Sequence, residues 1–265
     1  MKGSDTQQSP DRLVVSVRAL THAFGGVRAV DAVHFDVPAG AVLGVIGPNG
    51  AGKSTLFNLL AGELRPTSGS IALLGVRVEQ EAAAGRLARG LGRTFQIPRP
   101  FAALSVLENV MLGAQAHPGE GVLANLIATA AVRAAERRLR AQAMELLDFM
   151  TLAPLAKEPA RVLSVGQRKL LELARVLMAA PRVVLLDEPM AGVHPVLVDT
   201  LRERIAALAR AGTTFLLVEH QLALISALCG RVLVMAGGRI LMEGTPAQVL
   251  QDPRVAAAYL GEVAA

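Results

Sequence analysis

Residues 47–55, Gly47-Pro48-Asn49-Gly50-Ala51-Gly52-Lys53-Ser54-Thr55, fit the pattern GxxxxGK[ST]. The chemistry this pattern serves is phosphate binding. Its glycines let successive backbone N–H groups converge on phosphate oxygens, and a helix beginning there adds its positive end. Lys53 then reaches the β- and γ-phosphates, and the Ser54 hydroxyl ligates Mg2+. A second set of groups lies in Val183-Val184-Leu185-Leu186-Asp187-Glu188, where four apolar residues run into two carboxylates. Open α/β sheets bind ligands at the carboxyl ends of their strands. There Asp187 is expected to hold Mg2+ through water, and Glu188 to polarise the water that attacks the γ-phosphate. An acidic strand end is by itself more often solvated surface, but beside a phosphate loop the chemical reading takes precedence.

A parallel sheet is needed to hold these groups. Residues 41–46, 183–186 and 213–218 are short, nearly continuous apolar runs rich in β-branched residues, the pattern of strands covered on both faces. Helical patterns follow at 54–61 and 196–211, the latter with Leu197, Leu201, Ile205 and Leu208 on one face and Gly212 as its stop. Leu13, Val15, Val17 and later Val33, Phe35, Val37 alternate instead, which predicts an antiparallel edge layer. Between 98 and 180 the pattern turns helical, including 122–150 and 167–180, and reads as an insertion in the sheet domain. The order 232–235, Gly237-Gly238, 239–243 predicts a two-residue hairpin, and Thr245-Pro246 a helix start. The expected fold is therefore α/β, with a parallel sheet core, an antiparallel β edge layer and an inserted helical subdomain. Its expected divisions are a flexible tail at 1–11 and one domain over 12–265, in which 12–96 and 181–265 form the core and 97–180 the helical part.

Composition narrows the class further. With 52% hydrophobic and 18% charged residues in a chain of 265, burial can offset ordering entropy, which excludes a disordered protein. A single cysteine, Cys229, excludes an internal disulfide and a His/Cys zinc cluster, and points to a reducing compartment. Residues 1–11 are polar and lack the apolar stretch of a signal peptide, and no uncharged run approaches the roughly 18 residues of a membrane span. The expectation is a protein that neither leaves the cell nor crosses the membrane alone. The formal charge of +5 suits nucleic acid, anionic lipid or nucleotide phosphate and selects none of them.

Leu163-Ser164-Val165-Gly166-Gln167 precedes a helix and stands upstream of the acidic strand. With that serine-glycine signature, the chain from Leu13 to Gly261 resembles the ATP-binding subunit of an ABC transporter, a P-loop NTPase of RecA-like fold. The resemblance implies ATP and Mg2+ as ligands and ATP hydrolysis as the activity. It also implies head-to-tail pairing with a second ATP-binding subunit, identical or not, so that Ser164, Val165, Gly166 and Gln167 of one subunit meet the γ-phosphate on the loop of the other. Physically, a hydroxyl, a backbone N–H and a helix start make such an anion site, and an ordinary Ser N-cap is the alternative. Val165 departs from the family's LSGGQ, in which glycine stands at that position.

By the same resemblance Gln96, in Gly92-Arg93-Thr94-Phe95-Gln96, senses Mg2+ and joins the sheet domain to the helical one. His220, after Glu219, matches the switch histidine on the γ-phosphate, and Phe24 matches the aromatic that stacks on adenine. His194 stands where many relatives have Asp. Phe24-Gly25-Gly26, the Gln96 segment, Glu219-His220, the helical insertion and Tyr259-Leu260-Gly261-Glu262 resemble the branched-chain or hydrophobic amino-acid uptake subgroup. The expected partners are membrane permease subunits and, indirectly, a substrate-binding protein. Nucleic acid is not expected, and the expected location is the cytoplasmic face of the cell membrane. Urea or amide uptake, lipid export and a soluble ABC protein acting on ribosomes or DNA are the alternatives. Arg133, Arg137, Arg138 and Arg140 form a basic helical stretch, read as a solvated face ahead of a lipid or partner contact.

Overall fold

The computed structural model describes residues 12–94, 98–115 and 130–260. Its strands are β1 (Leu13–Phe24), β2 (Val27–Pro38), β3 (Val42–Ile46), β4 (Ser68–Leu73), β5 (Val76–Arg77), β6 (Leu91–Arg93), β7 (Val183–Asp187), β8 (Thr214–Val218), β9 (Arg231–Ala236) and β10 (Arg239–Gly244). The two sequence patterns become two sheets. Apolar residues of β1 and β2 pair across an antiparallel ladder, Val15 with Val37, Val17 with Phe35 and Leu20 with Val33. All six residues are buried; Val15 and Val17 keep the period of two, and an irregularity between Val17 and Leu20 shifts the register before the third pair. β4 and β5 extend this sheet in the order β2-β1-β4-β5.

The continuous runs become β3, β7 and β8, every residue of which is buried. They sit inside a six-stranded sheet of order β10-β9-β3-β8-β7-β6, parallel except for β10 against β9. Gly237 and Gly238 form the two-residue turn of that last hairpin with φ of 54° and 79°, the left-handed pair such a turn demands.

The described α-helices are α1 (Lys53–Ala61), α2 (Ala83–Ala88), α3 (Val106–Met111), α4 (Ala130–Phe149), α5 (Val165–Leu177), α6 (Pro195–Arg210), α7 (Leu222–Leu228), α8 (Pro246–Gln251) and α9 (Pro253–Leu260). Leu56, Phe57 and Leu60 of α1 join Leu43 and Val45 of β3, Leu185 of β7, and the inner face of the antiparallel sheet in one core. Each such side chain contributes about 1.5–3 kcal/mol on burial. Both ends of the glycine loop between β3 and α1 are thus anchored in the core, while Asn49 and Gly50 between them are exposed.

The chain divides into two compact units. One holds the described residues up to Arg93, Arg182–Glu188 and the described residues from Ile205 onward, and contains both sheets. The other draws on Thr94–Pro181 and Pro189–Arg204 and is helical, with α3 packed on α4 and α5. The segment 189–204 thus groups with the helical residues, in addition to the 97–180 stretch read from sequence.

Several elements differ from the sequence reading. The helix expected from Gln167 begins at Val165, because Ser164 accepts from the Gln167 N–H while the Gln167 side chain accepts from the Ser164 N–H. β4, β5 and β6 have no counterpart in that reading. The helix expected over 122–150 is described from Ala130 to Phe149, and its start, like the 1–11 tail, lies outside the described residues. Among the described residues no helix is long and apolar enough to cross a membrane.

Candidate functional site

The glycine loop leaves the carboxyl end of β3 and turns into α1, so its shape is set by two buried elements. Gly47 and Gly52 are the positions where it admits no side chain. A Cβ on Gly47 would stand 2.1 Å from the Met235 carbonyl oxygen, and one on Gly52 2.2 Å from that of Ala29, with φ of 148° and 97°. Backbone oxygens cannot swing aside as side chains can, so both positions require glycine. Gly52 is the N-cap of α1 and offers no side-chain cap, and the first turn has no acidic residue. The first-turn N–H groups therefore lack an intrahelical acceptor and face outward, which suits an anion.

Around this cradle, Asn49 and Gly50 are exposed, Pro48 and Thr55 half-buried, Ala51 buried and Ser54 exposed at the helix start. Lys53 is 7% exposed, and its ammonium donates to the carbonyls of Gly47 at 2.7 Å and Pro48 at 2.8 Å. Burial pushes its pKa down, and the carboxylates of Glu188 and Asp187 pull it back up. The lysine and both acids therefore share one electrostatic neighbourhood.

Asp187 closes β7, and Glu188 follows it with φ of 46°, in the left-handed region. A residue other than glycine held there costs of order 1–2 kcal/mol, a strain found where side-chain aim matters. Glu188 N–H donates to the Val218 carbonyl at the end of β8, which fixes the turn. From it the Glu188 carboxylate meets His220, with Oε1 2.7 Å from Nε2. Carboxylates only accept, so in this contact the imidazole carries its proton on Nε2. The pair spans neighbouring parallel strands, since β7 and β8 lie side by side and both residues follow their carboxyl ends.

Arg93 is a site residue that the sequence reading passed over. Its guanidinium donates to Asn58 Oδ1 of α1 at 2.7 Å, and pairs with Glu63 at 3.1 Å and Asp187 at 3.3 Å. It stands in the Gly92-to-Gln96 segment, where attention fell on the glutamine alone. An arginine ending a buried strand was the available signal.

The oxygen donors near the loop fit a hard cation. Ser54 supplies a hydroxyl and Asp187 a carboxylate, the donor types with which Mg2+ binds alongside substrate phosphates. Gln96, the third expected metal group, lies outside the described residues. Phe24 is 53% exposed at the end of β1, edge-on to His22 with ring centroids 4.6 Å apart, which leaves ring surface for stacking.

Ser164, Val165, Gly166 and Gln167 belong to the helical unit and form the first turn of α5 with its cap. Of the two features weighed from sequence, the N-cap is seen directly, the Ser164 side chain accepting from the Gln167 N–H. A Cβ on Gly166 would come within 2.6 Å of Leu197 Cδ1, so the glycine also has a packing role against α6. Val165 is 52% exposed, so its departure from glycine leaves the capping box intact. His194 is exposed, and its carbonyl accepts from Leu197 and Val198, so its backbone caps α6.

Comparison with known proteins agrees with this geometry. The family model described as "ABC transporter" matches residues 30–191, and one described as "Branched-chain amino acid ATP-binding cassette transporter" matches residues 239–265. The chain is 38% identical over 252 residues to the "High-affinity branched-chain amino acid transport ATP-binding protein BraF" of Pseudomonas aeruginosa, covering 95% of this chain and 99% of that one. With the protein of the corresponding description, LivG, from Escherichia coli, identity is 36% over 250 residues, covering 94% and 98%. A crystal structure of a nucleotide-free ATP-binding cassette from an ABC transporter has a TM-score of 0.81 at 34% identity, over 93% of this chain and 98% of that chain. Identity at this level over more than nine-tenths of the sequence, on a shared fold, means that the chain belongs to the ATP-binding cassette family of ABC transporters.

Proposed function

We propose that this chain is the ATP-hydrolysing subunit of an importer that takes up branched-chain or other hydrophobic amino acids through separate membrane subunits. The names of its relatives and the match over residues 239–265 support the substrate class. The observation that carries the catalytic part is the Glu188–His220 contact of 2.7 Å at the carboxyl edge of the sheet, in the electrostatic company of Lys53. In this reading the first-turn N–H groups of α1 and the Lys53 ammonium bind the phosphates, with Lys53 exchanging the Gly47 and Pro48 carbonyls for phosphate oxygens. Glu188 accepts a proton from the attacking water, and His220 holds the carboxylate in place. Ser54 and Asp187, with Gln96, hold Mg2+, which neutralises phosphate charge when bound.

A second cassette, identical or homologous, completes the site with its Ser164 and Gly166. The assembly sits on the cytoplasmic face of the membrane against the permease subunits, which receive substrate from a separate binding protein. Catalysis by positioning and charge gives a direct test. Glu188→Gln keeps the shape and the hydrogen bond to His220 but removes the base, so hydrolysis should fall by about 10²–10⁴-fold while ATP-dependent dimerisation persists. Turnover equal to wild type would reject Glu188 as the base.

A further inference from the structure

Gly47 is held from both of its polar groups. Its carbonyl accepts from Lys53, and its N–H donates to the Tyr259 hydroxyl at 3.0 Å. Tyr259 lies at the end of α9, more than two hundred residues downstream. Its position is set by a string of local constraints: the Gly237-Gly238 hairpin, a capping box between Thr245 and Gln248 that starts α8, and Asp252 accepting from Arg254 at the start of α9. Val255 and Ala258, at helical spacing with Tyr259, are buried on the same side of α9, which packs on α8 and β10. The same stretch of chain touches the loop a second time, where Gly238 N–H donates to the Ala51 carbonyl at 3.2 Å. The base of the phosphate loop is thus tied at two points to the segment after β9.

We propose that Tyr259 is a positioning residue for nucleotide binding, its hydroxyl holding the first glycine of the loop, and that the C-terminal helix thereby registers whether the loop is occupied. This rests on the reading of residues 47–55 as the nucleotide site. Of the two restraints on Gly47, the one from Lys53 is released when that ammonium turns to phosphate. The Tyr259 hydroxyl is then what keeps Gly47 from following. The residue is 41% exposed as a whole, while burial around its hydroxyl pushes the phenol pKa up, so the bond to Gly47 is partly withdrawn from water.

The chain has one tyrosine and no tryptophan, so its intrinsic emission comes from Tyr259 alone. Titrating Mg-ATP into the full chain, with free tyrosine amide as the absorption control, should change that emission along the binding curve obtained by equilibrium dialysis. Tyr259→Phe keeps the ring and its packing and removes the hydroxyl. It should raise the ATP Kd about three- to tenfold, with a melting temperature within about 2 °C of wild type. Emission that stays flat while dialysis shows saturation, or a Tyr259→Phe Kd within about twofold of wild type, would overturn the inference. Failure of the wild-type chain to bind ATP in dialysis would instead overturn the reading of the loop, and the inference with it.

Discussion

Replacing Arg93 with methionine removes a guanidinium that ties β6, β7 and α1 together. Arg93 and Asp187 side chains are each 11% exposed, so the pair is largely withdrawn from water, whereas Glu63 is 38% exposed and adds little. Breaking a fully buried pair by deleting one partner costs about 3–5 kcal/mol. The residual exposure here, and the 3.3 Å separation, reduce this to about 2–3 kcal/mol, including the lost bond to Asn58. A chain of this size loses about 2–4 °C of melting temperature per kcal/mol, so Arg93→Met should melt about 5–10 °C below wild type in differential scanning calorimetry. Part of the loss comes from leaving the Asp187 carboxylate without this countercharge. In a double-mutant cycle, Asp187→Asn should therefore be less damaging in the Arg93→Met background than alone, with a coupling of about 1–2 kcal/mol. Strictly additive effects, or an Arg93→Met melting temperature within about 2 °C of wild type, would show that the arginine is not holding Asp187 in place.

Two further outcomes follow from the loop and the core. Gly52→Ala puts a Cβ 2.2 Å from a backbone oxygen, whereas Gly50→Ala meets nothing within 4 Å and bears only its positive φ. ATP affinity measured by equilibrium dialysis should therefore drop more than about tenfold for Gly52→Ala and distinctly less for Gly50→Ala, and equal losses would contradict the steric account. Burial pushes the Cys229 thiol up to about 12 from an ordinary 9.0, so at pH 8 it should react with a disulfide reagent about a thousandfold more slowly folded than unfolded. The raised value means that the folded chain keeps a proton the unfolded chain releases. This contribution to stability is complete below 9.0 and is lost, by about 1.4 kcal/mol per pH unit, as pH rises toward about 12. The difference in urea midpoint between wild type and Cys229→Ala should shrink across that range, and a constant difference would count against it.

What could be read from the sequence, and what could not, follows the range of the interactions involved. The phosphate loop was legible because its requirements are local: glycines at close approaches, a lysine beside them, and a helix starting at once. The parallel strands were legible because burial on both faces leaves uninterrupted apolar runs in β3, β7 and β8. Even the two-residue error at α5 had a local signal, since Ser164 and Gln167 stand at the spacing of a capping box. Glu188 was found as an acid at a strand end, but its left-handed backbone, which aims it at His220, leaves no mark in a periodicity. Arg93 was missed for a related reason. Its partner Asp187 lies 94 positions away, and the two meet only because β6 takes the place beside β7 in the sheet. A three-residue strand is too short to show a pattern, and strand order across a helical insertion is not encoded by pattern at all. In this fold the groups of the candidate site were therefore readable one at a time. The contacts that orient them, Arg93 with Asp187 and Glu188 with His220, come from strand adjacency.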